Sequence, residues 1–255
     1  MGAPEATPLE SLIRRDRLWI GGGLVAAVAL CWAWLVPAAI DMNGDMRGLA
    51  AWMMSPVIDA RYLTLLFLMW AVMMAGMMLP SAAPTLLLYA RVARSSGGSP
   101  VANVYAFAAG YIVVWSAFSL VATLAQWALH DYGLLTPMMQ SASRALSGAL
   151  LMVAGVYQWS SLKERCLASC RGPAMFITQH WSEGPLRMGL RHGLFCLGCC
   201  WALMLLLFAG GVMSLACIAA ITIFVLLEKL APLGAQTARA AGALLIGCGV
   251  WLALT

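Results

Sequence analysis

Four stretches of this chain run for more than twenty positions without a charged residue: Leu18 to Ala39, Tyr62 to Ala90, Ser95 to His130 and Gly193 to Leu227. About 20 apolar residues in a helix cross the hydrocarbon layer of a bilayer. A water-soluble fold has no use for such runs in series. The charged fraction is 10%, where a soluble domain carries about 25%. The sequence therefore predicts an all-α, polytopic transmembrane helix bundle.

The runs divide into seven expected spans: 18–38, 62–88, 101–129, 139–161, 190–210, 213–228 and 236–254. The 193–227 run must be split, because 35 residues of helix would extend more than about 50 Å. Gly210-Gly211 lies in its middle, where a turn belongs. The first run lacks a small-residue cleavage site and reads as a span, not a signal peptide. Residues 1–17 form an N-terminal segment, 18–255 a single helical domain, and 162–189 the largest loop.

Charge tests this division. With the N-terminus inside, twelve of the fifteen basic residues face the cytoplasm: Arg14, Arg15, Arg17, Arg91, Arg94, Lys163, Arg165, Arg171, Arg187, Arg191, Lys229 and Arg239. Only Arg47, Arg61 and Arg144 fall outside. This positive-inside bias predicts a cytoplasmic N-terminus, an external C-terminus and a cytoplasmic 162–189 loop. The net charge of +5 is thus a topology signal, and no nucleic-acid partner is expected.

The fifth expected span opens with "HGLFCLGCCW", residues 192–201. On a helix, His192, Cys196 and Cys200 are spaced by four and Cys199 is three from Cys196, so all four share a face. The preceding loop adds Cys166, Cys170 and His180. Clustered thiols on a reducing face point to metal or redox chemistry rather than a structural disulfide. Thiolate and imidazole suit copper(I), zinc and iron.

A second set of soft ligands lies in the second span, "MWAVMMAGMMLPSAAPTLL". Met73 and Met77, and Met74 and Met78, are four apart and stack thioethers along a helix. Thioether sulfur favours copper(I) and needs no deprotonation. Met42, Met46, Met53, Met54, Met138 and Met139 lie towards the outside, with Met204 and Met213 in and beyond the fifth span. Methionine also serves as a flexible core filler. Pro80 and Pro84 release the carbonyls of Gly76 and Pro80 from helical bonding. Thioethers outside and mid-membrane, with thiols and imidazoles inside, would offer an entering soft ion ligands of rising affinity.

Glu228, in "LLEKLAP", reads as an interfacial residue paired with Lys229, or as a secondary site residue. Gln126, His130 and Asp131 read as a solvated helix end. No phosphate loop, nucleophilic triad or paired intramembrane carboxylates occur, so an enzyme is not expected unless through thiol redox.

The segments "FLMWAVMMAGMMLPSAAP", "CLASC", "GLRHGLFCLGCCWALMLLLFAGGVM" and "LLEKLAP" resemble a bacterial family of predicted metal-binding integral membrane proteins, over residues 62–254. The resemblance implies metal binding by Cys166, Cys170, His192, Cys196, Cys199 and Cys200, in a multi-pass protein of the bacterial inner membrane. In one spacing the methionine ladder also resembles the Met-x-x-x-Met element of high-affinity copper importers. Two functions follow as expectations. One is transport or delivery of copper(I) from the methionines to the cysteines, with a metallochaperone as partner. The other is a thiol-redox or assembly subunit of a membrane complex.

Overall fold

A computed structural model describes residues 8–43, 59–95, 100–136, 139–231 and 234–255, with side chains of the first helix from Leu18 onward. Met46, Met53, Met54 and Met138 lie outside the described residues. The chain is all-helical, and no β-strand occurs among the described residues. In order, the helices are α1 (Pro8–Asn43), α2 (Ala60–Ser95), α3 (Pro100–Asp131), α4 (Arg144–Tyr157), α5 (Ser161–Arg171), α6 (Pro173–His180), α7 (Pro185–Met204), α8 (Leu206–Gly210), α9 (Leu215–Leu230) and α10 (Gly234–Leu254).

Local chemistry sets the boundaries. The Asp59 carboxylate accepts from the Tyr62 amide at 2.8 Å and caps α2. Ser143, Ser160 and Ser214 cap α4, α5 and α9 through their hydroxyls, each satisfying an amide that the first helical turn leaves without a partner. Proline opens α6 and α7 at the first turn, where its missing amide costs nothing.

The expected turn at Gly210-Gly211 is present: α8 ends at Gly210, Gly211 has φ +96°, and α9 starts four residues later. The expected fourth span differs. Its helix is only 14 residues long, stops at Tyr157, and bends by 65° into α5. The polar Gln158, Ser160 and Ser161 interrupt the apolar run, and the Ser160 cap starts a new helix there. Residues 162–189 are not an open loop; they hold most of α5, all of α6 and the start of α7.

Five helical stretches are long and apolar enough to cross a membrane: Leu18–Met42, Ala60–Arg94, Pro100–Asp131, Pro185–Gly210 and Gln236–Leu254. The bent α4–α5 pair makes six if counted as one span. The expected sixth span corresponds to α9, 16 residues long.

Packing directions are clear at close contacts. α3 and α7 run parallel: Gly189 meets the Phe107 carbonyl, and a Cβ on Gly193 would lie 2.9 Å from Val114 Cβ. α4 and α10 run antiparallel: a Cβ on Gly148 would come within 2.7 Å of the Gly249 carbonyl, and one on Gly155 within 2.8 Å of the Gly242 carbonyl. Glycine lets these backbones touch. α2 is the most enclosed of the long helices, and its Met69, Trp70, Met73, Met74, Met77 and Met78 are fully buried. α2 stays helical through Pro80 and Pro84. The Gly76 carbonyl that Pro80 releases accepts the Trp32 indole N–H at 3.3 Å, so a neighbouring helix satisfies the broken bond.

Candidate metal centre

α7 places His192, Cys196, Cys199 and Cys200 on one face, and all four are buried. Four other helices close on this face. From α2, Met78 Sδ lies 3.9 Å from Cys200 Sγ. From α3, the Tyr111 hydroxyl lies 3.0 Å from Cys196 Sγ and donates to the Met78 carbonyl at 3.1 Å. From α9, Lys229 Nζ donates to both Cys196 Sγ and Ser81 Oγ at 2.9 Å. From α5, Cys170 faces Cys199. Its interaction with Cys199, followed by burial, pushes the Cys170 thiol well above its ordinary pKa.

The sulfurs gather without forming a finished ion cage. Cys199 and Cys200 both donate back to the Cys196 carbonyl at 3.0 Å. Among the described residues, no three His, Cys, Asp or Glu side chains are arranged to hold an ion. The Met78–Cys200 gap is another matter, because two metal–sulfur bonds of about 2.3 Å each span 3.9 Å with a bend. Thioether and thiol there are the donor types that favour a soft monovalent ion.

The other expected site residues sort by position. Cys166 packs against the backbone of Gly198, where a Cβ would come 2.6 Å from its sulfur, and burial raises its thiol pKa. His192 sits one turn before Cys196 among the rings of Phe107, Tyr111 and Phe176, at centroid distances of 5.8, 5.8 and 5.1 Å. Its Nδ1 is buried with no hydrogen-bond partner among the described residues. His180 is turned elsewhere: its Nδ1 lies 2.9 Å from the Phe176 carbonyl and its ring packs on Phe176. Met73, Met74, Met77, Met204 and Met213 are buried.

Two readings of polar residues need correction. Glu228 is not an interfacial partner of Lys229. It is buried, and both its oxygens accept from Lys163 Nζ, at 2.8 and 2.9 Å. Successive helical residues point about 100° apart, so Glu228 faces α5 while Lys229 faces α2 and α7. Gln126 is not at a solvated end either; it is buried and accepts the Trp70 indole N–H at 2.7 Å. Lys229, Tyr111 and Ser81 are site residues that spacing did not reveal. The available signal was a lysine at the end of a long apolar run.

Comparison with known proteins points to a copper-related family. A family model described as "copper chaperone" (PpoB2) matches residues 67–252. The chain belongs to this copper chaperone family. No curated protein and no solved structure gives a significant match. The matched region contains Met78, Tyr111, Cys170, His192, Cys196, Cys199, Cys200 and Lys229. The match is consistent with copper as the ion for the sulfur cluster, and of the expected resemblance it supports a copper-related family.

α5 is pinned near the sulfur cluster. Lys163 anchors it to Glu228, and Arg171 Nη2 donates to the Ala231 carbonyl at 2.8 Å. Tyr157 donates to the Gly198 carbonyl. These contacts surround the point where Cys170 meets Cys199.

Proposed function

We propose that the chain is a membrane-embedded copper(I) chaperone that binds the ion at Met78, Cys200 and Cys196 and passes it to Cys199 and Cys170. The observation that carries this reading is the approach of Met78 Sδ to Cys200 Sγ, one helical turn from Cys196. The family match supplies copper, and the thioether–thiol set supplies the preference for the monovalent state. Cys199 joins the cluster to Cys170 on α5, which gives the ion a route from the core to the loop helices. The unpartnered Nδ1 of His192 offers a further soft ligand on the same helix.

Embedding in a membrane, which we take to be the bacterial inner membrane, is supported by the peripheral helices. α1 and α10 present large apolar side chains outward, including Leu30 at 71% and Trp251 at 67% exposure. An outer face of this kind needs an apolar surround. Helix directions support the seven-segment topology. Parallel α3 and α7 are its third and fifth crossings, and antiparallel α4 and α10 its fourth and seventh. The N-terminus and the 162–189 helices then lie on the cytoplasmic side, where a receiving metallochaperone or membrane complex would take the copper.

The test is to purify the protein in detergent under reducing conditions, load it with copper(I), and measure bound metals by mass spectrometry. Near-stoichiometric copper is expected, lost in the C196S/C199S/C200S variant. Retention of zinc or iron in place of copper would remove the rationale for Met78. Metal-free protein after loading would end the reading and turn attention to thiol redox, measured by trapping the thiols.

A further inference from the structure

Cys196 and Cys200 sit on α7 and Met78 on α2, so an ion shared by all three depends on how closely these two helices are held together. Two metal–sulfur bonds of about 2.3 Å each span at most about 4.6 Å. Met78 Sδ lies 3.9 Å from Cys200 Sγ, so a retreat of roughly 0.7 Å ends the shared site. The turn that carries Met78 is short of one bond of its own, because Pro80 has no amide proton. Contacts from outside α2 therefore carry more of its positioning. Tyr111, fully buried on α3, supplies one. Its hydroxyl donates to the Met78 carbonyl at 3.1 Å and lies 3.0 Å from Cys196 Sγ. It thus touches both ligand-bearing helices at the ligands themselves. Close glycine packing brings it there: a Cβ on Gly193 would lie 3.3 Å from the Tyr111 carbonyl, and one on Gly110 would meet the Leu186 carbonyl. A second route joins the same two points through Ser81 Oγ and Lys229 Nζ. That route runs along a flexible four-carbon lysine stem, whereas the tyrosine ring is rigid, so Tyr111 sets the distance.

We infer that Tyr111 is a positioning residue of the copper site, whose hydroxyl holds the Met78 turn against Cys196 and so keeps Met78 Sδ within one ion's reach of Cys200. This rests on the copper site proposed above. Tyr111 stays outside the ligand set: the sulfurs bind, and the hydroxyl sets the gap between them. Removing the hydroxyl alone leaves the ring packed on His192 and Trp115, at centroid distances of 5.8 and 6.5 Å. It also leaves the Met78 carbonyl with the Ser81 hydroxyl as a donor, at 2.8 Å. That buried acceptor is not stranded, so Y111F should keep the fold while loosening the tie. Loss of a group that orients a metal ligand typically costs about 10–100-fold in affinity.

The experiment is a cycle of wild type, Y111F, M78L and Y111F/M78L on the full chain in detergent, under reducing conditions. Copper(I) affinity is read by chelator competition, with thermal melting beside it. Y111F is expected to bind copper(I) at least about tenfold more weakly, with a melting temperature near that of wild type. Because Tyr111 acts through Met78, Y111F should cost nothing further in the M78L background. Unchanged affinity in Y111F, or full additivity in the cycle, would overturn the inference. A collapse of the Y111F melting temperature would make the role structural and overturn it as well. A copper-free readout accompanies the cycle. In M78C, diamide should take the protons and electrons of the introduced thiol and of Cys200 and leave a disulfide, detected by mass spectrometry of the linked peptides. Adding Y111F should slow that crosslink severalfold, and an unchanged rate would overturn the positioning role whatever the affinities. Absence of copper(I) binding in wild type would instead overturn the copper site itself, with the crosslink still reporting the tie.

Discussion

Met78 is the residue at which the buried methionine ladder and the cysteine cluster meet. Its sulfur touches Cys200 and its carbonyl accepts from both Ser81 and Tyr111. Replacing it by leucine changes little volume, so M78L should cost less than about 1.5 kcal/mol in stability. Copper(I) affinity should nevertheless fall, because the thioether is gone. M74L removes an equally buried thioether and serves as the comparison. Chelator competition should show a loss for M78L and little change for M74L; equal effects would mean that the ladder binds as a set, or not at all. Residue spacing made the cysteine face legible, because i, i+3 and i+4 are fixed by helix geometry. It did not single out Met78 from its ladder, since Met69, Met73, Met74, Met77 and Met78 are all equally buried. It also misassigned Glu228 and Lys229. Adjacent opposite charges look like a local pair in sequence, yet their helix directs them to different neighbours. Lys163 tests that assignment. E228Q strands a buried ammonium and should destabilise the protein by about 3–5 kcal/mol. The double variant K163M/E228L removes both charges and should melt closer to wild type.

Between elements, the decisive contact is α5 on α7. Gly198 has the cluster cysteines on either side of it in the chain, and its missing side chain leaves room for Cys166. G198A places a methyl group 2.6 Å from the Cys166 sulfur, and overpacking of this kind typically costs about 1–3 kcal/mol. The predicted consequence is specific. G198A should lower thermal stability and weaken copper retention by moving Cys170 away from Cys199. C166A should restore much of both in the double variant, because it empties the space the new methyl needs. A cycle showing simple additivity would place the damage elsewhere. The sequence showed two cysteines four apart in "CLASC" and a loop long enough to fold back. It could not show that Cys166 packs on helix backbone while Cys170 reaches the thiols, since that depends on how α5 is rotated about its axis. The Lys163–Glu228 pair and the Arg171 contact set that rotation, and both join segments about sixty residues apart. The break before α5 left a trace in the polar Gln158, Ser160 and Ser161, but the sequence did not give the bend that follows it.

For the whole molecule, the proposed topology raises the question of how a chain with two short helices would keep its ends on opposite sides of a membrane. α4 has 14 residues and α9 has 16, both under the roughly 20 that a simple crossing takes. α4 nonetheless lies along α10, one of the long apolar stretches, with glycine contacts from Gly148–Gly249 to Gly155–Gly242. A helix so matched to a crossing helix shares its depth in the bilayer, and its antiparallel sense demands opposite crossings. α7 in turn is parallel to α3, which requires an even number of crossings from the start of one to the start of the other. The α3 and α4 crossings satisfy that count. From α7 onward, the α8–α9 turn must return the chain so that α10 can cross outward. The proposed topology therefore needs both short helices, and the exposed Arg239 agrees with the return. Reporters fused to each end provide the test: a cytoplasm-dependent fluorophore should be active at the N-terminus, and an export-dependent enzyme at the C-terminus. If both ends report cytoplasmic, α9 does not cross, and Lys229 would enter the cluster from a re-entrant segment. The proposed direction of copper delivery would fail with that result, since the loop helices carrying Cys170 owe their proposed cytoplasmic side to the same count.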